Sequence, residues 1–97
     1  MGTLTLKIVT PLGALEPLEC DSVRLTVCDD ENGSGGGSYG IRAGHARALF
    51  ALDRGPLRAF LGGEQVFSAR VSGGFALAEG GTVTALVEEV DVDEVGI

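Results

Sequence analysis

The stretch Leu57-Arg58-Ala59-Phe60-Leu61-Gly62-Gly63-Glu64-Gln65-Val66-Phe67-Ser68-Ala69-Arg70-Val71 decides the fold. Leu57, Ala59 and Leu61 alternate with Arg58 and Phe60. After Gly62-Gly63, Phe67, Ala69 and Val71 alternate with Val66, Ser68 and Arg70. Successive side chains of a strand point to opposite faces, so period two marks strands. Two such runs about a Gly-Gly pair predict a β-hairpin. Gly73-Gly74 then turns the chain into Phe75-Ala76-Leu77-Ala78, and Gly80-Gly81 turns it into Thr82–Val87.

The same reading extends towards the N-terminus. Leu4, Leu6 and Ile8 alternate with Thr3, Thr5 and Lys7, which predicts a strand that Pro11 and Gly13 end. Residues 14–19 are weaker, because Pro17 fits only an edge or a bend. In 22–27, Val23, Leu25 and Val27 point inward and Ser22, Arg24 and Thr26 outward. Residues 28–38, rich in Asp, Gly and Ser, read as a long polar surface loop. Residues 43–52 fit either period: Ala46, Leu49, Phe50 and Asp53 share a helix face, whereas Ala48, Phe50 and Leu52 share a strand face. Alanine leans towards helix there. Short strands at regular spacing with glycine punctuation predict an all-β domain, an antiparallel sandwich or flattened barrel of about ten strands.

Length and charge narrow the function. Ninety-seven residues allow one small domain, here residues 1–87 with an acidic tail at 88–97. Fourteen acids against seven bases give a net charge of −7, without the basic footprint of a nucleic-acid binder. No apolar run reaches membrane-span length, and no secretory leader is expected. A single His excludes a His-rich metal site. These limits favour a binding or structural module over an enzyme, with no catalytic residue, metal or cofactor expected.

Each chemical motif also has a plainer reading. Gly35, Gly37 and Gly40 match G-x-G-x-x-G, but the βαβ context of a dinucleotide site does not fit the chain, so they read as loop. Cys20 and Cys28 flank one strand and would stand roughly 26 Å apart if it is straight. That is beyond disulfide reach, so both read as reduced thiols of a cytosolic protein. His45, between Arg42 and Arg47, lacks an orienting carboxylate and reads as a turn or partner residue. Arg42, Arg47, Arg54 and Arg58 against Asp53 make a local basic excess, either a docking patch for an acidic partner or a solvated face. Lys7, inside the first strand, lacks the hairpin-tip position of a swinging-arm carrier lysine.

Three segments carry a family resemblance. They are Leu6-Lys-Ile-Val-Thr10-Pro11-Leu-Gly13 followed by Cys20-Asp21-Ser-Val23; Tyr39-Gly40-Ile41-Arg42-Ala43-Gly44-His45-Ala46; and Val71-Ser72-Gly73-Gly74-Phe75 followed by Thr82–Val87. In order and spacing the chain resembles the N-terminal β-sandwich domain of the epsilon subunit of the F-type rotary ATP synthase. That family carries a Gly-Ile-x-Pro-Gly-His-Ala run and a later Ser-Gly-Gly turn.

The resemblance implies a rotor subunit of the central stalk, without catalytic residues. It would join the gamma subunit to the c-ring and couple ion translocation to ATP synthesis or hydrolysis. It would sit peripherally, on the cytoplasmic face of the bacterial inner membrane. The resemblance also implies strand through 45–52. It places Thr10, His45 and Arg47 against gamma, and Ser38, Tyr39, Gly40, Ile41 and Arg42 against the c-ring loops. Gly44, Gly73 and Gly74 would be backbone turns.

Departures from the family are Ala43 for the usual Pro, Ser38-Tyr39 where an acidic and an apolar residue are common, and a longer glycine-rich 28–38 loop. Residues 88–97 are too few for the family's C-terminal helical pair, so inhibition by a helical arm is expected to be missing from this polypeptide. The alternative is a free-standing β-sandwich adaptor that binds an acidic protein through the Arg42–Arg58 patch.

Overall fold

The computed structural model describes residues 3–28, 37–44 and 46–93. Among them eleven strands and no helix occur: β1 (Leu4–Thr10), β2 (Gly13–Ala14), β3 (Leu18–Cys20), β4 (Ser22–Val27), β5 (Gly37–Arg42), β6 (Ala48–Leu52), β7 (Gly55–Leu61), β8 (Glu64–Val71), β9 (Gly74–Glu79), β10 (Thr82–Val87) and β11 (Val90–Val92). The glycine pairs form the turns that their positions predict. Gly62 and Gly63 (φ +63° and +84°) close the β7–β8 hairpin, and Gly80 and Gly81 (φ +58° and +81°) close β9–β10. Positive φ at both central residues matches the right-handed strand twist and is sterically free only without a Cβ.

The strands form one continuous sheet in the order β11-β8-β7-β4-β6-β9-β10-β1-β2, with β3 on β1 and β5 on β4. It bends at β4. Residues Ser22–Arg24 pair with β7, whereas Val27 pairs with Leu52 of β6. One layer is therefore β5-β4-β7-β8-β11 and the other β6-β9-β10-β1. The Asp21 N–H donates to the Phe60 carbonyl at 2.8 Å and ties the β3 end of the second layer to β7. All pairings are antiparallel except one: β1 runs parallel to β10, from Thr5 opposite Thr82 to Val9 opposite Leu86.

The core lies between the layers. Leu4, Leu6, Ile8, Val83 and Ala85 from one side meet Val23, Leu25, Ile41, Leu57 and Val71 from the other. Among the described residues no polar or charged side chain is buried, so apolar burial holds the layers together. Thr26 Oγ1 donates to the Pro56 carbonyl at 3.2 Å, beside the bend.

Several expectations change in the structure. Of the ambiguous 43–52 segment, Ala43 and Gly44 form a turn, and Ala46 and Arg47, expected as strand, precede β6. Ala48–Leu52 is strand, with Leu52 buried and Ala48 and Phe50 half-buried while Leu49 and Ala51 are exposed. That is the period-two option. Gly37 and Ser38, read as loop, are strand residues opposite Val27 and Thr26; residues 29–36 of that predicted loop lie outside the described residues. A bulge leaves Val66 of β8 unpaired between the Ala59–Phe67 and Phe60–Gln65 pairs, and Leu61, the last residue of β7, is 44% exposed. Val27 is half-buried rather than fully inward. Val90–Val92 of the acidic stretch add an edge strand to β8.

Cys20 is buried and Cys28 exposed, and neither is in a disulfide. Burial pushes the Cys20 thiol pKa up, and the Asp21 carboxylate adds to the rise.

Candidate functional site

Each layer turns one face away from the core, and the two outward faces differ in chemistry. Register defines them, because cross-strand partners share a side. On the β6-β9-β10-β1 layer, one row runs Ala51, Phe75, Leu86, Val9, and its neighbour runs Leu49, Leu77, Thr84, Lys7. Leu49 is 67% exposed, Phe75 54% and Leu86 50%. The inner positions of β9 are instead Ala76 and Ala78, both buried. The bulky residues of this strand thus face water while its small ones pack the core. A contiguous apolar face edged by Lys7, Thr82 and the Arg47–Glu79 ion pair has the form of a protein-docking surface.

The outward face of the other layer is cationic. Arg24 of β4 lies directly opposite Arg58 of β7 and, on its other side, opposite Gly40 of β5. Arg42 is opposite Ser22, which is opposite Phe60. Arg70 lies opposite Pro56 and Asp91. Arg24 Nη1 donates to Ser38 Oγ at 3.1 Å, drawing the guanidinium over Gly40 and away from Arg58. Among the described residues, the ion pair is Arg47 with Glu79 at 3.3 Å, on the opposite layer. An open groove of about 940 Å3 runs along this cationic face, bounded by Asp21, Ser22, Arg24, Arg42 and Phe60.

The residues singled out from sequence distribute unevenly. Ser38, Gly40 and Arg42 are on the outward face of β5, which among the described residues pairs only with β4, at the edge of the sheet. Tyr39 points to the inner side, 38% exposed, with its ring centroid 4.9 Å from that of Phe50. Ile41 is wholly buried, so its side chain belongs to the core and presents no surface to a partner. Thr10 and Arg47 are not brought together. They stand at opposite corners of the layer: Arg47 edges the apolar face ahead of β6 beside Glu79, whereas Thr10, at the end of β1, has the phase of Leu6 and Ile8. Thr10 Oγ1 donates to the Gly13 carbonyl at 3.0 Å and accepts the Leu12 N–H at 3.2 Å, which braces the turn. His45 lies outside the described residues.

Gly44, Gly73 and Gly74 have φ of +88°, +102° and +145°. A Cβ at Gly74 would collide with the Leu86 carbonyl oxygen. The basic excess read over 42–58 is divided: Arg42 and Arg58 share the cationic face, whereas Arg47 edges the apolar one. Sequence reading missed Arg24 as their neighbour. Its outward phase in β4 was the available signal, but only the pairing of β4 with β7 puts it against Arg58. Among the described residues no group of acids, His and Cys is placed to hold a metal ion.

Comparison with known proteins follows this architecture. A chain in the cryo-EM structure of the Euglena gracilis mitochondrial ATP synthase (OSCP/F1/c-ring) superposes with a TM-score of 0.74 at 23% identity, covering 95% of this chain and 54% of that one. A chain in the Tetrahymena thermophila mitochondrial ATP synthase central stalk/c-ring structure gives a TM-score of 0.67 at 15% identity, covering 90% and 64%. The chain therefore spans between half and two thirds of the length of these structures. No curated protein sequence matches. Residues 3–91 match the family described as ATP synthase, Delta/Epsilon chain, beta-sandwich domain, and the chain belongs to that family.

Proposed function

We propose that this chain is a non-catalytic, epsilon-type rotor component of an F-type ATP synthase. In this reading it joins the gamma subunit to the c-ring and is peripheral to the membrane. The observation that carries the reading is the apolar outward face of β6-β9-β10-β1, with Phe75 and Leu86 half in water at its centre. A face of this kind stabilises by leaving water against a partner, and gamma is the partner the family membership supports. Arg47 edges that face, and Thr10 and His45 are assigned to the same contact on family position. Ser38, Tyr39, Gly40 and Arg42 of β5 are assigned to the c-ring side, with Ile41 holding the strand from the core.

A coupling element of a rotating stalk must carry torque without deforming. Two layers joined through one hydrogen-bonded sheet over a packed core meet that requirement. Co-purification of the tagged 97-residue chain with the gamma subunit and c-ring of the same organism tests the reading. A stoichiometric complex is expected. Recovery of the chain alone, under conditions where gamma binds its other subunits, ends it.

A further inference from the structure

We propose that the groove on the cationic face is a carboxylate-docking site, in which Arg24 and Arg42 grip acidic side chains of a partner's loop. The inference rests on the rotor reading only in taking that loop to belong to the ring that meets the β5 edge. Four features point to this occupant.

First, Arg24 and Arg42 are diagonal neighbours on adjacent strands, because Gly40 is opposite Arg24 and Arg42 lies two residues on. That geometry puts their Cα atoms about 7–8 Å apart. Guanidinium forks at this spacing suit carboxylates, which they bind in bidentate fashion. Second, Gly40 has no side chain, so the Arg24 guanidinium spreads over it on the side of Arg42, along the groove that both arginines line.

Third, Arg58 stands directly across from Arg24, and like charges in that position repel. Arg24 turns from Arg58 to Ser38, a neutral partner, so its charge has no counter-ion among the described residues, and an incoming anion supplies one. Fourth, the groove is not uniformly basic. Asp21 lines one end, its Oδ2 accepting the Gly62 N–H at 2.8 Å, and Phe60 supplies an apolar wall. A carboxylate and an aromatic beside two arginines fit a peptide segment with spaced charges. They fit a polyphosphate or an anionic membrane surface poorly, since either would press negative charge onto Asp21.

The polarity matters. The basic groups are on this chain, so the partner loop carries the acids.

The test uses the full isotopically labelled chain in an NMR titration. The probes are the blocked peptide acetyl-Gly-Glu-Ala-Glu-Gly-amide, its lysine counterpart, inorganic phosphate, and phosphatidylglycerol vesicles. The glutamate peptide is expected to give saturable shifts at Arg24, Gly40, Arg42 and Phe60, weakening several-fold between low and 0.3 M salt. The lysine peptide should shift none of them. Arg24→Glu with Arg42→Glu should weaken the glutamate peptide at least about fivefold while leaving gamma binding intact. Arg24→Gln with Arg42→Gln repeats the measurement if charge reversal disturbs folding.

No shifts at these residues, equal binding of the lysine peptide, or equal or tighter binding of phosphate or vesicles there would overturn the proposal. If the unmodified chain fails to bind gamma while the glutamate peptide still saturates, the rotor reading falls and the groove stands. Gamma binding without peptide binding has the opposite meaning.

Discussion

Phe75 and Leu86 face each other across the β9–β10 pairing, and each leaves about half its surface in water, 54% and 50%. Neither is needed to close the core, which Ala76 and Ala85 close from the other side of the same strands. A cross-strand apolar pair at the centre of an outward face is where truncation should act on binding more than on stability. Phe75→Asp is therefore expected to weaken gamma binding about tenfold or more and to change unfolding free energy by only about 1 kcal/mol. Binding measured by interferometry beside urea denaturation checks both. Unaltered binding would remove this face from the interface.

Gly74 gives the reverse pattern. Its φ of +145° and its approach to the Leu86 carbonyl leave no room for a side chain. Gly74→Ala should destabilise the chain by about 2 kcal/mol or more, read as a lower denaturation midpoint. Gly37, with open space around its Cα, should accept the same change with little effect.

The thiols should separate by reactivity. Cys28 is exposed and should react at once with a chromogenic disulfide reagent, whereas buried Cys20 should react only on unfolding. The raised Cys20 pKa also sets a sign. The folded chain holds that proton more tightly than the unfolded chain, so its contribution is complete below the ordinary thiol range and is lost as pH rises past that range through the raised folded value. Denaturation midpoints followed into alkaline solution, with Cys20→Ala as the control, check the direction.

Much of this architecture is legible in the residues, because glycine pairs and period-two alternation act locally. Gly62-Gly63 and Gly80-Gly81 mark hairpins whichever partners surround them. Ala48–Leu52 is different. Its alanines and leucines satisfy two periods, and pairing with β9 decides between them. Alternation shows which residues share a face but not which face meets water. In Phe75-Ala76-Leu77-Ala78 both faces are apolar, and only the fold shows that the small residues, Ala76 and Ala78, go inside while Phe75 meets water. The cationic face was only half visible for a related reason. Arg42 and Arg58 fall in one basic stretch, but Arg24 joins them through register between strands far apart in the chain.

The parallel pairing of β1 with β10 has a consequence for how the molecule is made. Leu4–Thr10 leaves the ribosome early, yet its hydrogen-bonding neighbour Thr82–Val87 is synthesised only after most of the other strands. One edge of the first strand pairs at once with β2 and β3, but its other edge must wait for β10, made after nearly all the other strands. Such long-range closure makes folding slow and holds it back until β10 has been made.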